Sequence, residues 1–150
     1  MESIWTKIND AAGVYFTDIV EQYKMKFVKT DSLSSALIGE KFAILISIDR
    51  FTADVSYVFR NEKNQLTNLL CDSFFTMKYD DEDRVNLLPE NKAGNAVKND
   101  LSILSRGLKS KWSDVLLGSR AWLDDYKASK WYAEGRLRPM EEELLSRYIE

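Results

Sequence analysis

The alternation of apolar and polar positions is sharpest between Phe42 and Arg60, in the stretch FAILISIDRFTADVSYVFR. Phe42, Ile44, Ile46 and Ile48 recur at every second position. Past a polar break, Val55, Tyr57 and Phe59 do the same, alternating with Asp54, Ser56, Val58 and Arg60. Side chains of a strand point alternately to its two faces, so this pattern predicts a β-hairpin over 42–60 at the centre of a small antiparallel sheet. A turn between Phe51 and Thr52 sets Ile48 against Val55, Ile46 against Tyr57 and Ile44 against Phe59. A slip of one residue would face these side chains to water. The same register brings Asp49 opposite Asp54 at the hairpin's end.

Helical spacing dominates on either side. Ile4, Ile8, Ala11, Ala12, Tyr15, Phe16, Ile19, Val20 and Tyr23 recur at steps of three and four, predicting a helix over about 3–26 capped by Ser3. Gly13 weakens it by about 1 kcal/mol relative to Ala and marks a place for a kink or break. Thr30 to Ser35 is turn chemistry, Leu37 and Ile38 suit the start of a strand or a short turn, and the NEKN stretch at 61–64 is a second polar break. Between Leu66 and Tyr79 the periodicity is ambiguous. Leu66, Leu69 and Leu70 suit a short helix, whereas Phe75, Met77 and Tyr79 alternate as a strand over about 74–79 would.

Beyond a long polar connection, Leu101, Leu104, Leu108, Trp112 and Val115 fall at helical spacing, and Leu117-Gly118-Ser119 reads as a stop followed by a new cap. A further helix is predicted from Ser119 to about Glu134. Pro139 suits the first position of a last helix, docked by Met140, Leu144, Leu145 and Tyr148, with Glu141 to Glu143 at the positive end of its dipole. The predicted class is α+β: one domain over 1–150, an N-terminal helix, a small antiparallel sheet centred on the 42–60 hairpin, and a helical C-terminal half packed on one sheet face.

Composition narrows the chemistry. The 150 residues carry a net charge of −3, with 12 bases against 16 acids in 1–100 and 9 against 8 in 101–150. This balance lacks the concentrated Lys and Arg that phosphate neutralisation needs and argues against general nucleic-acid binding. No apolar run approaches the roughly 20 residues of a membrane span, and MESIWTKIND lacks a secretory signal's basic leader and apolar block. A single Cys71 suits a reducing compartment, so the expected location is cytoplasmic.

The chain contains no histidine. That removes Ser-His-Asp and Cys-His catalysis, and leaves one Cys without a partner for a zinc site of the usual ligand types. Phosphate-cradling glycine loops are also missing. Carboxylates remain. Asp49 and Asp54 form one candidate set, as an acid and base or as a docking point for a basic partner. Asp80, Asp81, Glu82 and Asp83 form the other, an acidic run without the alternate spacing and turn glycine of a calcium loop. No cofactor or metal is expected.

Among the tryptophans, Trp5 and Trp112 lie on apolar stripes and belong to the core. Trp131 falls about 180° from Trp122 on an ideal helix, beside Arg120 and Lys127. It is a candidate interface anchor or base-stacking platform, since residues 101–138 hold eight bases against four acids.

These features lead to an expected non-catalytic protein-binding module. Its concrete form is a small inhibitor or bacterial immunity-type protein that neutralises a basic partner, such as a toxin or nuclease, through Asp49, Asp54, Asp80, Asp81, Glu82, Asp83 and Trp131. A carboxylate-dependent enzyme and a single-stranded nucleic-acid binding module are the alternatives.

Overall fold

A computed structural model describes residues 3–150. Its centre is a six-stranded antiparallel meander in the order β1 to β6: Lys26–Asp31, Ser34–Gly39, Phe42–Ile48, Ala53–Arg60, Leu66–Leu69 and Glu134–Gly135. The helices are α1 (Ile4–Ala11), α2 (Thr17–Tyr23), α3 (Asp72–Thr76), α4 (Asn95–Lys111), α5 (Ser113–Leu116), α6 (Trp122–Ala128) and α7 (Pro139–Tyr148). The α+β class and the central hairpin therefore hold.

The register of that hairpin differs from the expectation by two residues. Ile46 pairs with Val55, Ile44 with Tyr57 and Phe42 with Phe59, while Asp54 stands opposite Ser47 rather than Asp49. A shift of two leaves every side chain on its predicted face, so hydrophobic alternation cannot choose between the two registers. The turn makes the choice. The Asp49 carboxylate accepts the backbone N–H groups of Phe51 at 2.7 Å and Thr52 at 2.8 Å, and the Asp49 N–H donates to the Thr52 carbonyl at 3.0 Å. These bonds stabilise a four-residue loop in place of the tighter turn.

The N-terminal helix starts where expected, with Ser3 Oγ accepting the Thr6 N–H at 3.1 Å. It breaks at a 3₁₀ segment, Ala12–Phe16, around Gly13, and α2 ends at Lys24 in a left-handed conformation. The chain then enters β1, a strand not expected from the sequence, so that of the stretch read as a turn Thr30 and Asp31 belong to β1 and Ser34 and Ser35 to β2. Asn9 ties helix to sheet. Its buried amide donates to the carbonyls of Asp31 and Ser34 at 3.0 and 3.1 Å and accepts from Ser35 Oγ at 3.0 Å.

Between Leu66 and Tyr79, where the first part fits either element, Leu66–Leu69 is a strand on β4, and the strand expected over about 74–79 is replaced by a helix, Asp72–Thr76. In a helix the adjacent Phe74 and Phe75 can both turn inward, and both are buried, with Phe75 stacked on Trp112 at 4.6 Å. The predicted 119–134 helix is shorter, running only from Trp122 to Ala128 after Gly118 takes a left-handed φ of 91°.

Both faces of the sheet are covered. Phe42, Ile44, Ile46, Val55, Tyr57 and Leu69 join the larger core with the helices from α1 to α6. Ala36, Ile38, Ala43, Leu45 and Val58 form a second core with Leu145 and Ile149, so α7 lies on the opposite face from the other helices. Of the residues expected to dock α7, Leu145 is fully buried, Leu144 and Tyr148 are half-buried, and Met140 is exposed. The two cores explain why β3 reads as an almost continuous apolar run.

Candidate functional site: an acidic cavity at the end of β4

β5 pairs only with the second half of β4, from Tyr57 to Arg60. The N–H groups of Ala53 and Val55 point along the same uncovered edge, where strand neighbours are missing. Two carboxylates replace them. Asp72, at the start of α3, accepts the Val55 N–H at 3.0 Å, and Asp100, on α4, accepts the Ala53 N–H at 3.1 Å. Buried backbone donors need such partners, so these bonds have a structural role.

Among the described residues, each carboxylate retains a second oxygen without a hydrogen-bond partner. Those groups line a cavity of about 130 Å³ with Thr52, Asp54, Thr76 and Tyr79, closed on its apolar side by Ile103 and Leu104. No Lys or Arg among the described residues makes an ion pair with Asp54, Asp72 or Asp100. Burial pushes the Asp72 carboxyl up to about 6, against the pull of the Val55 N–H, and the charges of Asp54 and Asp100 add to the rise. Burial likewise raises Asp54, opposed by the Thr52 hydroxyl and reinforced by Asp49. Asp100 is raised by burial, opposed by the Ala53 N–H and reinforced by Asp54, Glu90 and Asp49. The three groups destabilise one another's charged forms.

Tyr79 closes the same cavity. It is 6% exposed, and its hydroxyl makes no hydrogen bond among the described residues. Burial drives its phenol well above the usual range, and Asp72 is the foremost charge acting on it. The ring lies directly over Gly107 of α4, where any Cβ would collide with it.

Of the residues singled out from sequence, Asp54 belongs to this cavity. Asp49 lies beside it, linked through Thr52, whose hydroxyl is 3.4 Å from Asp49 and 3.2 Å from Asp54. The Asp49 carboxylate is engaged by its own loop, whose N–H groups hold it below the usual range. The acidic run 80–83 divides. Asp83 is buried, accepts from the Asp80 N–H at 3.1 Å and from the Ser110 hydroxyl, and pairs with Lys111 at 3.1 Å. Burial opposes its ionisation, but these partners prevail and hold its carboxyl below the usual range. Asp80 shares Lys111 at 3.0 Å, while Asp81 and Glu82 are exposed. The run is thus a clasp onto the end of α4, with two outward acids. Among the described residues no cluster of three metal-binding side chains has the geometry to hold an ion.

Trp131 is half-buried. Its ring meets Phe74 edge-on at 6.4 Å and carries Lys130 Nζ 4.8 Å from its centre. Asp72 and Asp100, missed as candidates in the sequence, are single acids in separate elements. Asp72 precedes two buried phenylalanines and Asp100 precedes Leu101, so each resembles an ordinary polar residue flanking an apolar stripe.

No helix among the described residues is long and apolar enough to cross a membrane. In comparisons with known proteins, no family model, no curated protein and no solved structure matches the chain.

Proposed function

We propose that the protein is a non-catalytic, cytoplasmic protein-binding module that docks a basic partner, in the manner of a small bacterial immunity protein neutralising a toxin or nuclease. One observation carries this reading: Asp54, Asp72 and Asp100 converge at a surface cavity with no protein cation among them. Concentrated negative charge without internal compensation costs stability and favours a positively charged partner. Asp49 borders the cavity, and the exposed Asp81 and Glu82 supply acidic surface beyond it. Phe51, 71% exposed at the hairpin tip, adds an apolar contact.

The test is a pull-down from native lysate at low and high salt, using the parent and a D54N/D72N/D100N variant of unchanged fold as baits. A basic protein retained by the parent, released by salt and lost from the variant supports the reading. Equal retention by both baits counts against it.

A carboxylate-dependent enzyme is the second reading, and Asp72 is its specific support. A carboxyl pushed up to about 6 beside other acids is the environment in which a general acid operates near neutrality. The nucleic-acid alternative rests on Trp131, which is half-buried against Phe74 with Lys130 beside its ring.

A further inference from the structure

The groups around the cavity have a common hydrogen-bonding character. The free oxygens of Asp72 and Asp100 and the carboxylate of Asp54 are acceptors when ionised, and the Ala53 and Val55 N–H groups are already engaged. Thr52 and Thr76 contribute hydroxyls that can accept as well as donate. The buried Tyr79 hydroxyl is an additional polar group without a partner among the described residues. An anion would find carboxylates there and no free N–H donor. A cation rich in N–H groups would find acceptors on several sides.

Size and spacing narrow the choice. A cavity of about 130 Å³ falls below the ~300–1,000 Å³ of sites that enclose drug-sized ligands, and suits a head group rather than a nucleotide or sugar. The backbone groups that anchor Asp72 and Asp100 are two residues apart on β4, a separation of roughly 7 Å from the rise of a strand. A planar guanidinium presents five N–H donors in a rigid fork and can address two separated carboxylates together. An ammonium is a compact point charge with a shorter reach. The described acids also lack the clustered geometry of a metal site.

We propose that the cavity bounded by Asp54, Asp72, Tyr79 and Asp100 is a guanidinium-binding site, filled by an arginine side chain of the docked partner. The arginine source rests on the docking reading above, whereas recognition of the head group is a property of this chain alone. The guanidinium supplies the positive charge that the three carboxylates lack. Its N–H groups reach the second oxygens of Asp72 and Asp100, and the Tyr79 oxygen accepts at the buried end.

The intact protein can be titrated with methylguanidinium chloride at constant ionic strength and followed by NMR, with sodium chloride and methylammonium chloride as controls. Saturable shifts confined to residues around Tyr79, Asp72 and Asp100 are expected, tighter for methylguanidinium than for methylammonium. D72N/D100N should weaken binding by about tenfold or more, the scale of losing one charged hydrogen bond. If that variant does not fold, D54N and Y79F each provide a weaker, severalfold loss on an intact backbone. No saturable shift, shifts matched by sodium, or equal binding by the folded variants overturns the site.

Displacement of methylguanidinium from the cavity by stoichiometric magnesium overturns it in favour of a metal. Once a basic partner is captured, methylguanidinium should compete with it, and replacing the inserted arginine by lysine should weaken the complex. Methylguanidinium binding without competition overturns the arginine source while leaving the head-group site standing. Competition that fails together with all methylguanidinium binding removes the site, and the salt-dependent pull-down then judges the docking reading independently.

Discussion

The Asp72 carboxylate accepts the Val55 backbone N–H at 3.0 Å, taking the position on β4 that a longer β5 would occupy. One oxygen thus completes the sheet while the group as a whole lies among other acids. This double placement makes the stability of the protein depend on pH in an unusual direction. Asp72 holds its proton up to about pH 6 in the folded chain, whereas an unfolded aspartate loses it near pH ~3.9. Between those values the folded state binds more protons, so stability falls as pH rises through that window. The shift corresponds to roughly 2–3 kcal/mol from this group. Asp31, Asp49 and Asp83 are lowered instead, and their contribution is lost as pH falls through their folded values below about 4. Thermal melts should therefore show a maximum near pH 4–5. Asp72→Asn should flatten the slope from pH 4 to 6 and melt above the parent at pH 7.5. A parent and variant whose melting curves stay parallel across that range contradict this account.

Tyr79→Phe removes a buried hydroxyl that has no hydrogen-bond partner among the described residues. An unsatisfied buried polar group costs about 1–3 kcal/mol, so the variant should equal or exceed the parent in stability, with a Tm higher by a few degrees. Chemical denaturation measures this directly. A clear loss of stability would show that the hydroxyl has a structural partner.

The core predictions depend on face rather than register. Ile46 is fully buried in the larger core, and Ile46→Ala should cost about 2–5 kcal/mol. Leu145→Ala should cost a similar amount on the opposite face, while Met140→Ala, earlier on the same helix but exposed, should stay within about 0.5 kcal/mol. Urea unfolding of the three variants distinguishes them. Equal losses at Leu145 and Met140 would show that α7 is not seated as described.

Within the 80–83 run, Asp83→Ala should destabilise by roughly 1–3 kcal/mol, because the Asp80 N–H and the Ser110 hydroxyl lose their acceptor. Asp81→Asn with Glu82→Gln should leave the melt unchanged. In complex with a basic partner, that double variant should slow association and flatten its salt dependence, as expected for charges at the rim. Melting curves check the first outcome and stopped-flow association against salt checks the second.

Local chemistry specified much of the scaffold. The period-two run on β3 and β4 determined which side chains face which core, Ser3 and Pro139 marked helix starts, and Gly118 marked a stop. These features are legible in sequence because each depends on residues a few positions apart. Four features were not legible in the hydrophobic pattern, the first settled by the hairpin's own turn and the other three by the tertiary structure. A two-residue slip preserves every face, so the register was decided by Asp49 bonding to its own loop. The short stretch 66–79 fits either element by periodicity, and the edge of β4 drew Leu66–Leu69 into the sheet while Phe74 and Phe75 turned inward on a helix. The continuous apolar run of β3 reflects a second core, built by Leu145 and Ile149 from the far end of the chain. Finally, Asp54, Asp72 and Asp100 meet only because a strand, the start of α3 and the flank of α4 converge on two uncovered N–H groups. Such a cluster is set by long-range packing, and no local spacing in the sequence encodes it.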